Sequence, residues 1–299
     1  GIGVAEIGIA GLGVQDGRAT RVGQWRAVAE ALGRAIENAG ARVWLDVWDA
    51  RPGDLWDQVI PNALRKAEPH IAPKVVGAIL HHQDGHANPL RLLVALAADV
   101  RRLGGRVLTG KTVTDVAKPD AFRVTCSDGT CVLASKVVLS AGLGAGQLGP
   151  QMGFKAPIRP QRGQVLITEK LPKLINRPSL IARQVDEGGI QIGATNEEVG
   201  LDDRVTQPGL SGLAAEAIAA YPVLARAQLV RSWGALRILS PDGLPIYQES
   251  ADMPGAYLVT CHSGITLAAA HARLLPDWLE GADAAPDLEV FSEDRFAVS

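Results

Sequence analysis

A β-branched, apolar run, KVVLSAG at 136–142, leads directly into Pro150, Gly153, Pro157, Pro160 and Gly163. Proline removes a helical N–H and clashes with the preceding turn, and glycine costs backbone entropy, so no long helix can follow this strand. A parallel crossover of the βαβ kind needs such a helix. The letters nonetheless spell G-x-G-x-x-G at Gly144, Gly146 and Gly149, and Glu169 stands 25 positions after Gly144. A dinucleotide loop requires a helix opening on its glycines so that the N-terminus faces the pyrophosphate. The prolines deny it one, and the three glycines are expected to steer the chain out of a strand toward a second domain.

Ahead of this point the pattern alternates between helix and strand. Residues 24–39 carry apolar positions at helical spacing, end at Gly40 and lead into the strand-like ARVWLDVWD. A short helix is expected around LWDQVIPNALRKAEP, a strand in VVGAILHHQDG, and a longer helix in NPLRLLVALAADVRRLGG. In the last, Asn88 suits the N-cap, Pro89 the first helical position, and Gly104 or Gly105 the C-terminal end, delivering the chain to a strand RVLTG. A second glycine-rich candidate, Gly8, Gly11 and Gly13, precedes the first helix. However, VQDGRATRVG separates the two, and Asp46 lies 33 positions past Gly13, beyond the roughly 20 that a ribose-binding acid favours.

The period then changes to two. KTVTDVAK, AFRVTCSDGTCVLA and KVVLSAG read as a small β-meander, with Asp128-Gly129 as a hairpin turn that sets Cys126 and Cys131 opposite each other as half-buried thiols. Beyond 150 come strands in IRPQRGQVLITEK, SLIARQV and GIQIGATN, a helix over about 208–226, strands in LVRSWGALRILSPDG and AYLVTC, and a closing helix in GITLAAAHARLLPDWLEG. The sum is an α/β chain, α+β overall: a Rossmann-like parallel sheet with a β-meander from residues 1–149 and 241–299, residues 1–60 being atypical, and an inserted mixed β-sheet domain over 150–240.

Composition removes several classes of function. The 30 basic and 32 acidic residues are interspersed and give a net charge of −2, so no basic face is offered to a nucleic acid. No segment approaches the roughly 20 apolar residues that span a bilayer, and the opening GIGVAEIG has no basic lead, so a cytoplasmic protein without a membrane span is expected. Three cysteines, Cys126, Cys131 and Cys261, are too few for a disulfide framework. His82, Asp84 and His86 would share one face of an extended HHQDGH, but the Asp-Gly turn breaks that geometry and no metal is expected.

Several motifs recur in a recognisable order: DGHANPLRLLVALAADVRRLGGRVLTGKTV, VVLSAGLGAGQLG with PQRGQVLIT, and SWGALRILSPDGLPIY with YLVTCHSGITLAAAHARLL. Over residues 60–282 the chain resembles the FAD-dependent family of D-amino-acid oxidase, glycine oxidase and sarcosine oxidase, the last pair of motifs being nearest the branch of D-hydroxyproline dehydrogenase and the opine oxidase subunits. The resemblance implies FAD, held noncovalently, and oxidation of the C–N bond of a D-amino acid, a hydroxyproline or an opine-type secondary amine by hydride transfer to the flavin. Oxygen, a quinone or a partner subunit would then accept the electrons, in a homo- or hetero-oligomer. It also implies that Arg237, in R-x-x-S-x-D-G, clamps the substrate carboxylate, for which a planar, permanently charged guanidinium is suited.

The same resemblance assigns Ser263, Gly264, Ile265, Thr266 and Leu267 to the loop and helix start lying against the flavin ring, with the N–H groups of the last three facing its N1/C2-oxygen edge. His262, beside them, would orient substrate or tune the flavin. Val113 corresponds to a backbone contact with the adenine, and Ala141 with Gly142 to a turn beneath the cofactor. Asp242 with Gly243 reads as a turn rather than a base. Only 38 positions separate Asp46 from Asp84, fewer than the family uses there. A second expectation follows: a non-catalytic fragment or subunit of such an oxidoreductase that has lost FAD binding.

Overall fold

Asn88 accepts hydrogen bonds from the N–H groups of Leu90 and Arg91, Pro89 occupies the first turn, and helix α1 runs Pro89–Arg102. This cap satisfies two of the donors that every helix N-terminus orphans. The computed structural model describes residues 64–75 and 85–297. The glycine run at 8–13, the first helix and strand at 24–49, and residues 76–84 of the expected strand VVGAILHHQDG, with His82 and Asp84, lie outside them. Gly104, at φ +86°, ends α1 as expected. RVLTG is not a strand: Val107 and Leu108 stay exposed, and no strand among the described residues completes a ladder for them.

Three short strands follow, β1 (Val113–Ala117), β2 (Phe122–Cys126) and β3 (Cys131–Ala134), forming the antiparallel meander. Cys131 pairs with Thr125, not with Cys126. The offset of one residue turns the two thiols to opposite faces, so Cys126 is buried and Cys131 exposed. Next comes β4 (Val137–Leu139), and then the proline-glycine segment yields only short helical turns, among them α2 (Ala145–Leu148).

The remaining order is β5 (Arg159–Lys170), β6 (Ala182–Gln184), β7 (Gly189–Gly193), α3 (Gln207–Ala220), β8 (Leu229–Leu239), β9 (Ile246–Glu249), β10 (Ala256–Thr260) and α4 (Ala268–Glu280). One sheet has the order β6-β7-β5-β8; another has the order β4-β10-β9. Among the described residues the expected parallel sheet is one pair, β4 with β10, while β9 joins β10 antiparallel. The expected strand ARVWLDVWD and most of VVGAILHHQDG fall outside the described residues.

The chain divides into two compact units, one comprising residues up to 87 with 163–196 and 203–235, the other 88–162, 197–202 and 236–299. In the first, β7 and β5 pack Leu166, Ile190 and Ile192 against Leu213 and Ala217 of α3. Gln164 fixes the start of that helix: its Oε1 accepts from Thr206 N–H at 2.7 Å and its Nε2 donates to Thr206 Oγ1 at 3.0 Å. A Cβ at residue 209 would collide with the same amide, which is why glycine stands there. The second unit has its own core, where Phe122, Leu139, Met152, Phe154 and Leu258 meet.

Candidate functional site

Because β4 and β10 run parallel, with Leu139 beside Leu258, both chains emerge at the same edge of the second unit. In open α/β sheets ligands bind outside the carboxyl ends of the strands. Beyond β4, Ala141 is exposed and Gly142 takes φ +57°. That left-handed conformation favours glycine. A Cβ there would also stand 3.0 Å from Ile238 Cδ1, so the turn lies close against the strand that carries Arg237. Gly149, by contrast, is packed on Ala156 and Phe154. The spelled glycine motif runs through three consecutive short helical turns, Gly142–Gly144, Ala145–Leu148 and Gly149–Met152, and no long helix opens on it.

Beyond β10, residues 262–266 are exposed and helix α4 begins only after Leu267. The Leu267 N–H is already given to Ser263 O at 2.9 Å, so the expected set of three donors facing a ligand shrinks to Ile265 and Thr266. Among the described residues the N–H groups of these two meet no acceptor. Among the described residues a Cβ at Gly264 would meet nothing closer than Cys261 Sγ at 3.9 Å. His262 is exposed, its Nδ1 3.2 Å from Ser263 Oγ. At the very end of β10, the Oγ1 of Thr260 is buried without a hydrogen-bond partner. Such an orphaned polar atom is uncommon.

Arg237, on β8, donates from Nη1 to Gln161 Oε1 at 3.4 Å and to the carbonyl of Arg162 at 3.3 Å. Arg162 itself is buried and paired with Glu197 at 2.6 Å and Asp202 at 3.1 Å. Val113 heads β1, half-buried against the core of the second unit. Asp242 sits in a turn in which its Oδ1 accepts from Leu244 N–H and from Ser240 Oγ, with Gly243 at φ +77°. Arg295, bonded to both of its oxygens, holds this carboxyl well below the usual range. It is a structural acceptor, as the Asp-Gly pair suggested.

One group escaped sequence reasoning. Tyr247 OH lies 2.7 Å from His271 Nε2, joining β9 to the first turn of α4, with the rings edge to face. Burial, and secondarily Cys261, push the tyrosine up to about 12, and burial lowers the histidine. The pair is therefore neutral near pH 7 and braces the start of the helix that follows the exposed turn. Nothing local in the sequence marks it, since the partners are 24 residues apart.

The family described as FAD dependent oxidoreductase matches residues 15–278. The chain belongs to that family. It is 38% identical over 227 residues to one subunit of the opine oxidase of Agrobacterium tumefaciens (strain Ach5), a match covering 76% of this chain and 61% of that protein. To hydrogen cyanide synthase subunit HcnC of Pseudomonas protegens it is 34% identical over 248 residues, covering 79% of this chain and 59% of the relative. The chain thus spans about three fifths of the length of these relatives. Among solved structures, glycine oxidase from Geobacillus kaustophilus superposes with a TM-score of 0.73 at 23% identity, over 90% of this chain and 80% of that one.

The residues at the sheet edge fit the flat ring of a flavin. Gly142 and Gly264 allow close backbone approach, two N–H groups await acceptors, and the orphaned Thr260 hydroxyl lies in the same loop root. No cluster of metal-ligating side chains occurs among the described residues, and none of their helices is long and apolar enough to cross a membrane.

Proposed function

We propose that this chain oxidises the C–N bond of an amino acid or secondary amine with FAD as hydride acceptor, on substrates of the D-amino-acid, hydroxyproline or opine type. The observation that carries the reading is the shared edge at which β4 and β10 end, where Ala141-Gly142 and the exposed 263–266 turn leave unengaged N–H groups and no side-chain bulk. Bound FAD supplies a two-electron acceptor. The donors of Ile265 and Thr266, at the approach to the positive end of α4, favour negative charge on a ligand edge. Ser263 and Leu267 shape the turn, and Val113 is assigned to the adenine end.

Arg237 is assigned to the substrate carboxylate, supported by its position one residue before Ile238, the side chain against which Gly142 packs. A bidentate clamp fixes Cα in one orientation, which lowers the entropic cost of reaching the transition state. His262 is assigned to orienting the substrate in the same turn. Residues 1–149 and 241–299 are assigned to FAD and residues 150–240 to substrate. Two of the relatives are subunits by name, which supports a partner subunit as electron acceptor alongside oxygen or a quinone. We place the protein in the cytoplasm.

The relatives that are subunits by name support one further reading, a non-catalytic fragment or subunit of such an oxidoreductase that has lost FAD binding. Anaerobic mixing of the FAD-incubated chain with D-amino acids, hydroxyprolines, sarcosine and opines separates the two. Bleaching of the flavin band by at least one substrate is expected, and a panel without bleaching contradicts the enzyme reading. Arg237→Ala should then raise KM for carboxylate substrates at least tenfold more than for neutral amines.

A further inference from the structure

The first unit holds a second arginine in an unusual state. On β6, Ala182 and Gln184 point into the core, and on β7 Ile190 and Ile192 do the same. Arg183 and Gln191 are direct cross-strand partners, with Ile167 of β5 next in line. The period of two therefore turns these three side chains to the opposite face of the sheet. Arg183 is half-buried there. Its Nε and Nη2 both donate to Gln191 Oε1, at 3.3 and 2.9 Å, and its Nη1 donates to the carbonyl of Ala87 at 3.2 Å.

All of these acceptors are neutral, and among the described residues no carboxylate pairs with Arg183. Burial shifts this guanidinium downward, and no described acid opposes it. The described ionisable groups nearby do not supply a counter-charge either. His86 is lowered by burial and by Arg183 itself, so it is neutral near pH 7. Lys173 adds positive charge to the same neighbourhood, and Asp186 acts on His86 without forming an ion pair with the arginine. Arg162 shows how this protein otherwise treats a buried guanidinium, by giving it two carboxylates. A partly desolvated charge left without a counter-ion is costly.

The donors remaining on Arg183 have a companion. Gln191 turns its Oε1 to the guanidinium, so its Nε2 is left as a second donor that meets no acceptor among the described residues. A fork of N–H groups with an adjacent amide matches a carboxylate, which accepts two parallel hydrogen bonds. We propose that Arg183 and Gln191 form a carboxylate-binding site on this sheet face, and that the substrate is an amine carrying more than one carboxylate. This deepens, and rests on, the reading of the chain as an amine oxidoreductase.

The test is a pair of secondary amines that differ only in whether a methyl or a carboxylate ends one arm: N-ethylglycine and iminodiacetate. Each is titrated by calorimetry into the full, FAD-incubated chain at 0.15 M salt, where nonspecific charge attraction is screened. Iminodiacetate should bind at least about tenfold tighter, and Arg183→Ala should weaken it by about 10- to 100-fold while N-ethylglycine changes less than about twofold. Arg183→Lys, which keeps the charge and loses the fork, should fall between. Should the alanine variant fail to fold, as judged by circular dichroism, Arg183→Lys and Gln191→Leu decide the matter, each being expected to weaken iminodiacetate alone. Equal affinity for both amines, or equal losses in the variants, overturns the carboxylate site and leaves the amine reading standing. Binding of neither amine to the unaltered protein overturns both.

Discussion

Helices α1 and α3 are each fourteen residues long, yet α3 buries Leu213, Ala217 and Ala220, and α1 buries nothing. Leu90, Leu93 and Val94 of α1 are all more than half exposed. α4 likewise buries none of its residues. The difference runs through the two units. In the first, a sheet face and a helix share one apolar core. In the second, an apolar core drawn from the meander, β4, α2, β9 and β10 is reinforced by polar clasps: Glu293 accepts from the N–H groups of Lys155 and Ala156, Arg162 holds Glu197 and Asp202, and Arg295 holds Asp242. Most helical stability in proteins comes from tertiary packing of an apolar face rather than from propensity. The first unit should therefore depend chiefly on apolar volume, and the second on its ionic state as well as on its apolar core.

The largest effect that can break this contrast is Leu166→Ala, at a position that is 1% exposed between sheet and helix. It should cost about 2–5 kcal/mol, and hydrogen exchange should accelerate in α3 and β7 before α1 changes. Next is Glu293→Ala, which strips two charge-assisted bonds from a buried carboxylate and should cost about 2–4 kcal/mol, read as loss of exchange protection around residues 154–158. Comparable losses across both units in either variant would merge them into one cooperative block.

Acid distinguishes the units by sign. Burial raises the carboxyl of Glu68 above its ordinary 4.5, partly offset by its bond from Asn176 N–H. A raised carboxyl contributes stability that is complete below its unfolded value and is lost as pH rises through the folded one. The first unit should thus gain stability as pH falls from 7 toward 4.5, and Glu68→Gln should remove that slope. Asp242 is depressed by its bonds to Arg295, so its contribution is present above about 3.8 and is lost as pH falls through the folded value. The second unit should loosen only below pH 4. Exchange measured at pH 6.5, 5 and 3.5 checks both signs. The smallest effect is Leu93→Ala on α1, expected within about 0.5 kcal/mol; a larger loss would mean that this face is packed in solution.

What could be read in advance was whatever short-range chemistry dictates. Asn88-Pro89 and Gly104 bound α1 because caps act within one turn, and Asp128-Gly129 closed the β2–β3 hairpin for the same reason. Proline spacing alone showed that Gly144, Gly146 and Gly149 could not open a long helix. What failed depended on partners. The strand character of RVLTG had no ladder to join among the described residues, and the pairing of Cys126 with Cys131 slipped by one because a hairpin's register belongs to its turn. The onset of α4 at Ala268 left one of three expected donors spent on Ser263. Arg183 gave no signal, since its acceptors on Ala87 and Gln191 are recognised only once its neighbours in space are known.

The account stands on the edge where β4 and β10 end. Titrating FAD into the chain and following the visible spectrum tests it most directly. The account predicts uptake of one equivalent with a structured flavin band, and about tenfold weaker uptake by Gly142→Val, which must force a branched side chain into φ +57°. A chain that stays colourless at saturating FAD, or a Gly142→Val variant that binds as tightly as the unaltered protein, would contradict it.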